Sequence, residues 1–179
     1  MRLFIALETL PIQDKLFEVE GEIKNKITGI KWVKRENLHL TLKFLGEVDT
    51  ATFQMVKESV EKIGSKEKKF NFSIASISGF PTKKSSRIVF IGIDKGRDKI
   101  QELMKRIDEE MNHIGFKKEK SYIPHITIGR VRFGHISLER LNDNFHPIEA
   151  YALGIEIIKS ELTKLGPIYK SIFKFDFKH

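Results

Sequence analysis

Asn37-Leu-His-Leu-Thr-Leu-Lys-Phe-Leu-Gly46 has a counterpart in Tyr122-Ile-Pro-His-Ile-Thr-Ile-Gly-Arg130. The two histidines stand 125 − 39 = 86 positions apart, close to half of the 179-residue chain. Each stretch alternates polar and apolar residues, the period-two pattern of a half-buried strand. In such a strand His39 and Thr41 share one face, as do His125 and Thr127, while Leu40, Leu42, Ile126 and Ile128 turn to the other. Each half of the chain therefore offers an imidazole beside a hydroxyl on one wall, and two such walls can face each other across a cleft.

Working outward, Arg2 to Glu8 alternates as a first strand. Ile12, Leu16, Val19, Ile23 and Ile27 recur at helical spacing and predict an amphipathic helix over 11–28, ending near Gly29. Lys31–Lys34 reads as a short strand leading into the first His strand, 37–45, which Gly46 ends. Asp49 or Thr50 caps a second helix over 51–63. Residues 69–79 and 87–93 alternate as strands around a turn at 79–86. A third helix spans 97–113, the second His strand 124–132, and a short helix runs from Leu138 to Phe145. Two long strands, 150–163 and 167–177, close the chain around Gly166-Pro167. This order predicts an α+β fold with largely antiparallel sheets, organised as one domain over residues 1–179.

Composition narrows the classes. An apolar fraction of 40% with 31% charged residues describes a globular chain. No apolar run approaches the roughly 20 residues needed to cross a bilayer, so no membrane role is expected. The absence of cysteine removes disulfides and thiolate metal sites, making a cytoplasmic location the default. The net charge of +8 suits a polyanionic partner such as nucleic acid. Abundant Lys, Glu and Ile, with Gln only at 13, 54 and 101, resembles the composition of hyperthermophile proteins.

The repeated His-x-Thr carries the chemistry. Opening a cyclic phosphodiester needs a base for the nucleophile and an acid for the departing alkoxide, and imidazole can do either near neutrality. A threonine hydroxyl beside each imidazole can donate to phosphate oxygens as charge develops. Zinc held by His39, His125 and His113 or His146 is the rival use, but no helical His-x-x-x-His or carboxylate-linked spacing supports it. No cofactor is expected. Lys43 falls on the His39 face of a regular strand and is a candidate phosphate contact. Tyr122 is a candidate to stack on a base. Trp32 has the same stacking reading with core favoured, Phe44 reads as core, and strict alternation sets Arg130 on the face opposite His125.

With these residues in place, the chain resembles the two-histidine phosphoesterase superfamily, and within it the RNA 2′,3′-cyclic phosphodiesterases historically named 2′-5′ RNA ligases. Arg2–Leu7, Trp32–His39, Thr41–Gly46, Ser86–Gly92, Pro124–Arg130 and Ser160–Tyr169 carry the resemblance. It implies a bilobal fold with two pseudo-symmetric lobes and the active site in the central cleft. It implies His39, Thr41, His125 and Thr127 as the catalytic set, with His39 as proton donor and His125 as acceptor, and it adds Arg130 to the substrate contacts. The implied reaction opens a terminal 2′,3′-cyclic phosphate to a 2′-phosphomonoester with water as nucleophile. With a 5′-hydroxyl in place of water, the same exchange joins RNA ends through a 2′-5′ linkage without ATP. The implied partner is RNA with 2′,3′-cyclic phosphate ends, tRNA fragments included, bound by a monomer. An RNA-end-binding or joining module and a hydrolase of small cyclic nucleotides are the alternatives.

Overall fold

The computed structural model describes residues 1–141, 146–164 and 166–179. In chain order the elements are β1 (Arg2–Thr9), α1 (Gln13–Lys24), β2 (Ile30–Trp32), a 3₁₀ turn at Arg35–Asn37, β3 (Leu40–Glu47), α2 (Thr50–Gly64), β4 (Phe70–Pro81), β5 (Ser86–Ile93), α3 (Arg97–His113), β6 (His125–Val131), β7 (Ile148–Thr163) and β8 (Gly166–Asp176). α1 is shorter than its apolar spacing predicts, because the chain leaves the helix after Lys24, with Lys26 and Ile27 both donating to the Ile23 carbonyl. Of the two candidate caps for α2, Asp49 is the one used, its Oδ1 accepting from the Thr52 N–H at 2.7 Å. The helix expected over 138–145 is a turn at 139–141, and 142–145 lie outside the described residues.

All the ladders between these strands are antiparallel. One lobe is the sheet β3–β1–β7–β8, the other β6–β5–β4 with the start of β7. The lobes share β7, whose 16 residues pair with β4 over Ile148–Ala152, with β1 over Ala152–Lys159 and with β8 over Gly154–Thr163. On the opposite side the ladders of the two lobes meet, among the described residues, at a single pair, Leu40 against Ile126. Both are the second residue of a His-x-Thr motif. An antiparallel pair between identical motif positions places a local twofold between the strands, so the two histidines fall on opposite sides of one axis.

The apolar face of each strand packs outward onto the helices. Leu3, Ile5, Leu7, Leu40 and Leu42 join Val56, Val60, Ile100, Leu103, Ile107, Ile126 and Ile128 in one continuous core. The inner face keeps a separate cluster of Phe4, Ala6 and Ile158, with Tyr169 against it. That inner face is the cleft.

Both motif strands carry a bulge at the same place. Ala6 opposes Thr41 and Ile5 opposes Lys43, so Leu42 is the extra residue in β3. Phe90 opposes Thr127 and Val89 opposes Gly129, so Ile128 is the extra residue in β6. The offset of 86 holds here too, since 42 + 86 = 128. A bulge of this kind sends two consecutive side chains to one face and shifts the alternation by one. Leu42 and Lys43 both turn to the core, and Phe44 returns to the cleft. In β6 the same shift brings Arg130 back to the side of His125.

Lys43 has a reason to turn inward. Its ammonium, in a side chain 1% exposed, donates to Asp108 Oδ1 at 2.5 Å and to the Lys117 carbonyl at 2.9 Å. Asp108 Oδ2 accepts from the Tyr122 hydroxyl at 2.7 Å and from the Glu119 N–H at 3.1 Å. Burial pushes the Asp108 carboxyl up, but the hydrogen bonds from Lys43, Tyr122 and Glu119 together outweigh it and leave it below the ordinary carboxylate range. The bond to Asp108, followed by burial, pushes the Tyr122 hydroxyl up to about 12. This network ties β3 to α3 and to the segment that leads into β6.

Removing one partner of a buried ion pair strands the other, which costs about 3–5 kcal/mol. Lys43→Met should therefore lower unfolding stability by about that amount in urea titration. Tyr122→Phe deletes only one hydrogen bond to a charged group and should cost about 1.5–3 kcal/mol.

Candidate active site

A cavity of about 250 Å³ lies between the lobes. β3 contributes Thr41 and Phe44, with His39 just before it, and β6 contributes His125, Thr127 and Arg130. Lys31 to Lys34 and Asn37 form one rim, and Gly166, Pro167 and Tyr169 of the β7–β8 hairpin form another. Asn37 fastens the rims together, its amide Nδ2 donating to the Pro167 carbonyl at 2.8 Å. Gly129 lets the first rim close: a Cβ there would collide with Ile30 and touch the Trp32 ring.

Each imidazole is gripped by two aromatic rings. Phe4 and Tyr169 meet His39 at centroid distances of 6.1 and 5.6 Å, and Phe80 and Phe90 meet His125 at 5.1 and 5.0 Å. Within each pair the rings also pack on each other, at 4.9 and 4.5 Å. Rotation of either imidazole is thereby restricted, which fixes where its nitrogens point.

The two histidines differ in what holds Nδ1. His125 Nδ1 lies 2.6 Å from the Ile123 carbonyl oxygen. A carbonyl only accepts, so Nδ1 carries the hydrogen, and Nε2 of the neutral ring is left as a bare acceptor. Burial pushes the His125 imidazole below its ordinary value; the Ile123 carbonyl opposes this and the Arg130 charge adds to it. His39 Nδ1 is buried and has no hydrogen-bond partner among the described residues.

The electrostatic setting is one-sided. Lys31, Lys34 and Arg130 line the cavity, and no carboxylate does among the described residues. A cleft with cations of one sign focuses field lines and draws in anions. Part of the chain's positive excess is therefore concentrated where the His-Thr pairs meet.

The structure brings His39, Thr41, His125, Thr127 and Arg130 to one cavity. Arg130 reaches it because the bulge at Ile128 cancels the strict alternation that the sequence implies. Lys43 and Tyr122 are not there. Lys43 shares the His39 face only in a regular strand, and the bulge at Leu42 turns it into the core. Tyr122 is directed to Asp108 by its own hydroxyl, away from the cavity. His113 lies at the end of α3 against Lys62 and Arg106, so it is not a third ligand beside His39 and His125; His146 is exposed and does not line the cavity.

Phe44, expected in the core, is 64% exposed and lines the cavity. It holds the position in β3 that Arg130 holds in β6, five residues beyond the histidine. That shared spacing is the signal in the sequence that could have found it. Trp32, for which core is the favoured of two sequence readings, lines the cavity at half-burial, with the Lys24 ammonium over its ring at 5.6 Å. Tyr169 stands in the sequence only as the end of a closing pattern, and its contact with His39 needs the tertiary fold.

Two symmetry-related His-Thr pairs in the cleft of a duplicated antiparallel fold define a class, the two-histidine phosphoesterases. The sequence pattern of the LigT-like phosphoesterases matches residues 7–90 and 91–169, one match in each half, and the chain belongs to that family. RNA 2′,3′-cyclic phosphodiesterases are among its relatives. That of Methanocaldococcus jannaschii is 36% identical, over 96% of this chain and 98% of its own, and that of Thermotoga maritima is 33% identical, over 99% and 96%. The fold is shared with a crystal structure from Thermus thermophilus, which has a TM-score of 0.84 at 23% identity and covers 99% of this chain and 98% of its own. It is also shared with Escherichia coli LigT, with a TM-score of 0.77 at 18% identity over the same shares.

Because burial disfavours the charged ring, His125 should be neutral down to a lower pH than the ordinary imidazole value of 6.5. An NMR titration of the ring nitrogens should place its midpoint below 6.5. Phe80→Ser, which admits water beside the ring, should move that midpoint upward.

Proposed function

We propose that this phosphoesterase opens the terminal 2′,3′-cyclic phosphate of RNA to a 2′-phosphomonoester, using His125 as base and His39 as acid. The observation that carries the reading is the unlike seating of the two imidazoles in one carboxylate-free, basic cleft. His125, held with Nδ1–H on the Ile123 carbonyl, offers Nε2 to a water molecule. The water gives its proton to Nε2 as its oxygen bonds to phosphorus. On the far side the bond from phosphorus to the 3′-oxygen breaks, and His39 delivers the proton that the 3′-alkoxide needs. Thr41 and Thr127 donate to the non-bridging oxygens, and Arg130 offsets their charge. Phe44, opposite Arg130, offers an apolar face to a base. Two imidazoles supply both proton transfers, so the scheme needs no metal. The same geometry, with a 5′-hydroxyl in place of water, joins ends through a 2′-5′ linkage. The RNA 2′,3′-cyclic phosphodiesterase relatives support this substrate class.

On an RNA ending in a 2′,3′-cyclic phosphate, His39→Ala and His125→Ala should each lose about 10²–10⁴-fold in rate. Sulfur in place of the 3′-oxygen gives a leaving group that needs little protonation. His39→Ala should then recover most of its rate, and His125→Ala should stay slow. Recovery of His125→Ala instead would reverse the assignment, and recovery of neither would mean that the histidines only position phosphate.

Salt tests the RNA partner. If Lys31, Lys34 and Arg130 hold phosphates, log K for a longer oligonucleotide should fall with a slope of about −0.7 per phosphate neutralised. A cyclic mononucleotide should respond far less, and equal slopes would point to a small-nucleotide substrate.

A further inference from the structure

A second cavity, of about 150 Å³, shares His39 with the main cleft as a lining residue. Its wall includes His39, Glu8, Glu156 and Lys174. Register explains the neighbourhood. Ala6 stands opposite Thr41, and the ladder ends with Leu7 opposite Leu40, so Glu8 and His39 are the residues that follow that last pair on the two chains. One Glu8 oxygen, Oε1, accepts from the Lys174 ammonium at 2.5 Å. The other, Oε2, is buried and without a partner among the described residues, as is His39 Nδ1. Gly154 leaves Oε2 its space, since a Cβ there would lie 3.1 Å from it.

A buried donor or acceptor left unmatched costs about 1–3 kcal/mol, so two such atoms on residues that line one polar cavity call for a common solution. A cavity of this polarity and size readily holds a water molecule with two or more partners. We propose that Glu8 is a positioning residue for the acid: its Oε2 accepts, through one water in this cavity, the hydrogen of His39 Nδ1, and so turns Nε2 to the leaving group. The charges agree. Glu8 and Glu156 against Lys174 leave the wall at −2 + 1 = −1, which complements a positive charge on His39. Each histidine then has an orienting acceptor behind it, a backbone carbonyl for His125 and a carboxylate for His39. This inference rests on the acid role given to His39 above.

The test is Glu8→Gln, assayed on RNA ending in a 2′,3′-cyclic phosphate and on the same RNA with 3′-sulfur. On the first, kcat should fall about 10- to 100-fold, less than the loss of the acid itself, with KM within about twofold. On the 3′-sulfur substrate the defect should vanish. Glu8→Asp, which keeps the carboxylate and needs only a longer water bridge, should regain most of the rate. Independently of turnover, the Nδ1–H proton of His39 should shift in the NMR spectrum of Glu8→Gln. An equal loss on both substrates, a loss confined to KM, or an unmoved Nδ1–H signal would overturn the role of Glu8. Failure of His39→Ala to recover on the 3′-sulfur substrate would overturn the acid assignment instead, so the two failures can be told apart.

Discussion

The site depends on one backbone contact, the antiparallel pairing of Leu40 with Ile126. Elsewhere the strand ladders of the two lobes are joined through β7, and at this point they touch at equivalent positions of a repeated motif. Slipping that register by one residue would turn every side chain of one motif to the other face. One wall of the cleft would then present Leu or Ile in place of His and Thr. The pairing therefore fixes both the distance scale of the cleft and which residues look into it.

On this symmetric frame the chemistry is asymmetric. The bulges at Leu42 and Ile128 are equivalent, but the residues after them are not. After one comes Lys43, buried on Asp108, and after the other Gly129, which admits Ile30 and Trp32. One step further, Phe44 faces the cavity on one side and Arg130 on the other. A cyclic phosphate terminus is itself asymmetric, with a nucleoside on one side and charge on the other. An apolar ring opposite a guanidinium suits such a ligand better than two equal walls would.

The buried Lys43–Asp108–Tyr122 group shows how the frame is held in register. A buried ion pair is weak evidence of net stability, since desolvation of both charges offsets their attraction. Its specificity is the larger effect. The ammonium of Lys43 also reaches the Lys117 carbonyl, and Asp108 also holds the Glu119 N–H, so the residues before β6 are fixed to the strand that follows His39. Slipping β3 by one residue would strand all of these polar groups at once.

The chain's local pattern determined much of this protein. The alternation around His39 and His125 and the helical spacing along α3 follow from period, which acts over a few residues. Gly166 and Pro167, expected as the turn between the last two strands, are instead the first residues of β8, paired with Thr163 and Leu162. The repeat of His-x-Thr at half the chain length was enough to name four of the cavity's side chains. What it could not carry was the face on which Lys43, Phe44 and Arg130 lie. Alternation assumes one residue per partner, and a bulge breaks that count only where a neighbouring strand is present to be miscounted against. The fate of Tyr122, the approach of Tyr169 to His39 and the meeting of Glu8 and His39 at one cavity have the same origin. Each depends on a partner distant in sequence or on a strand register, and those are settled when the lobes close on one another.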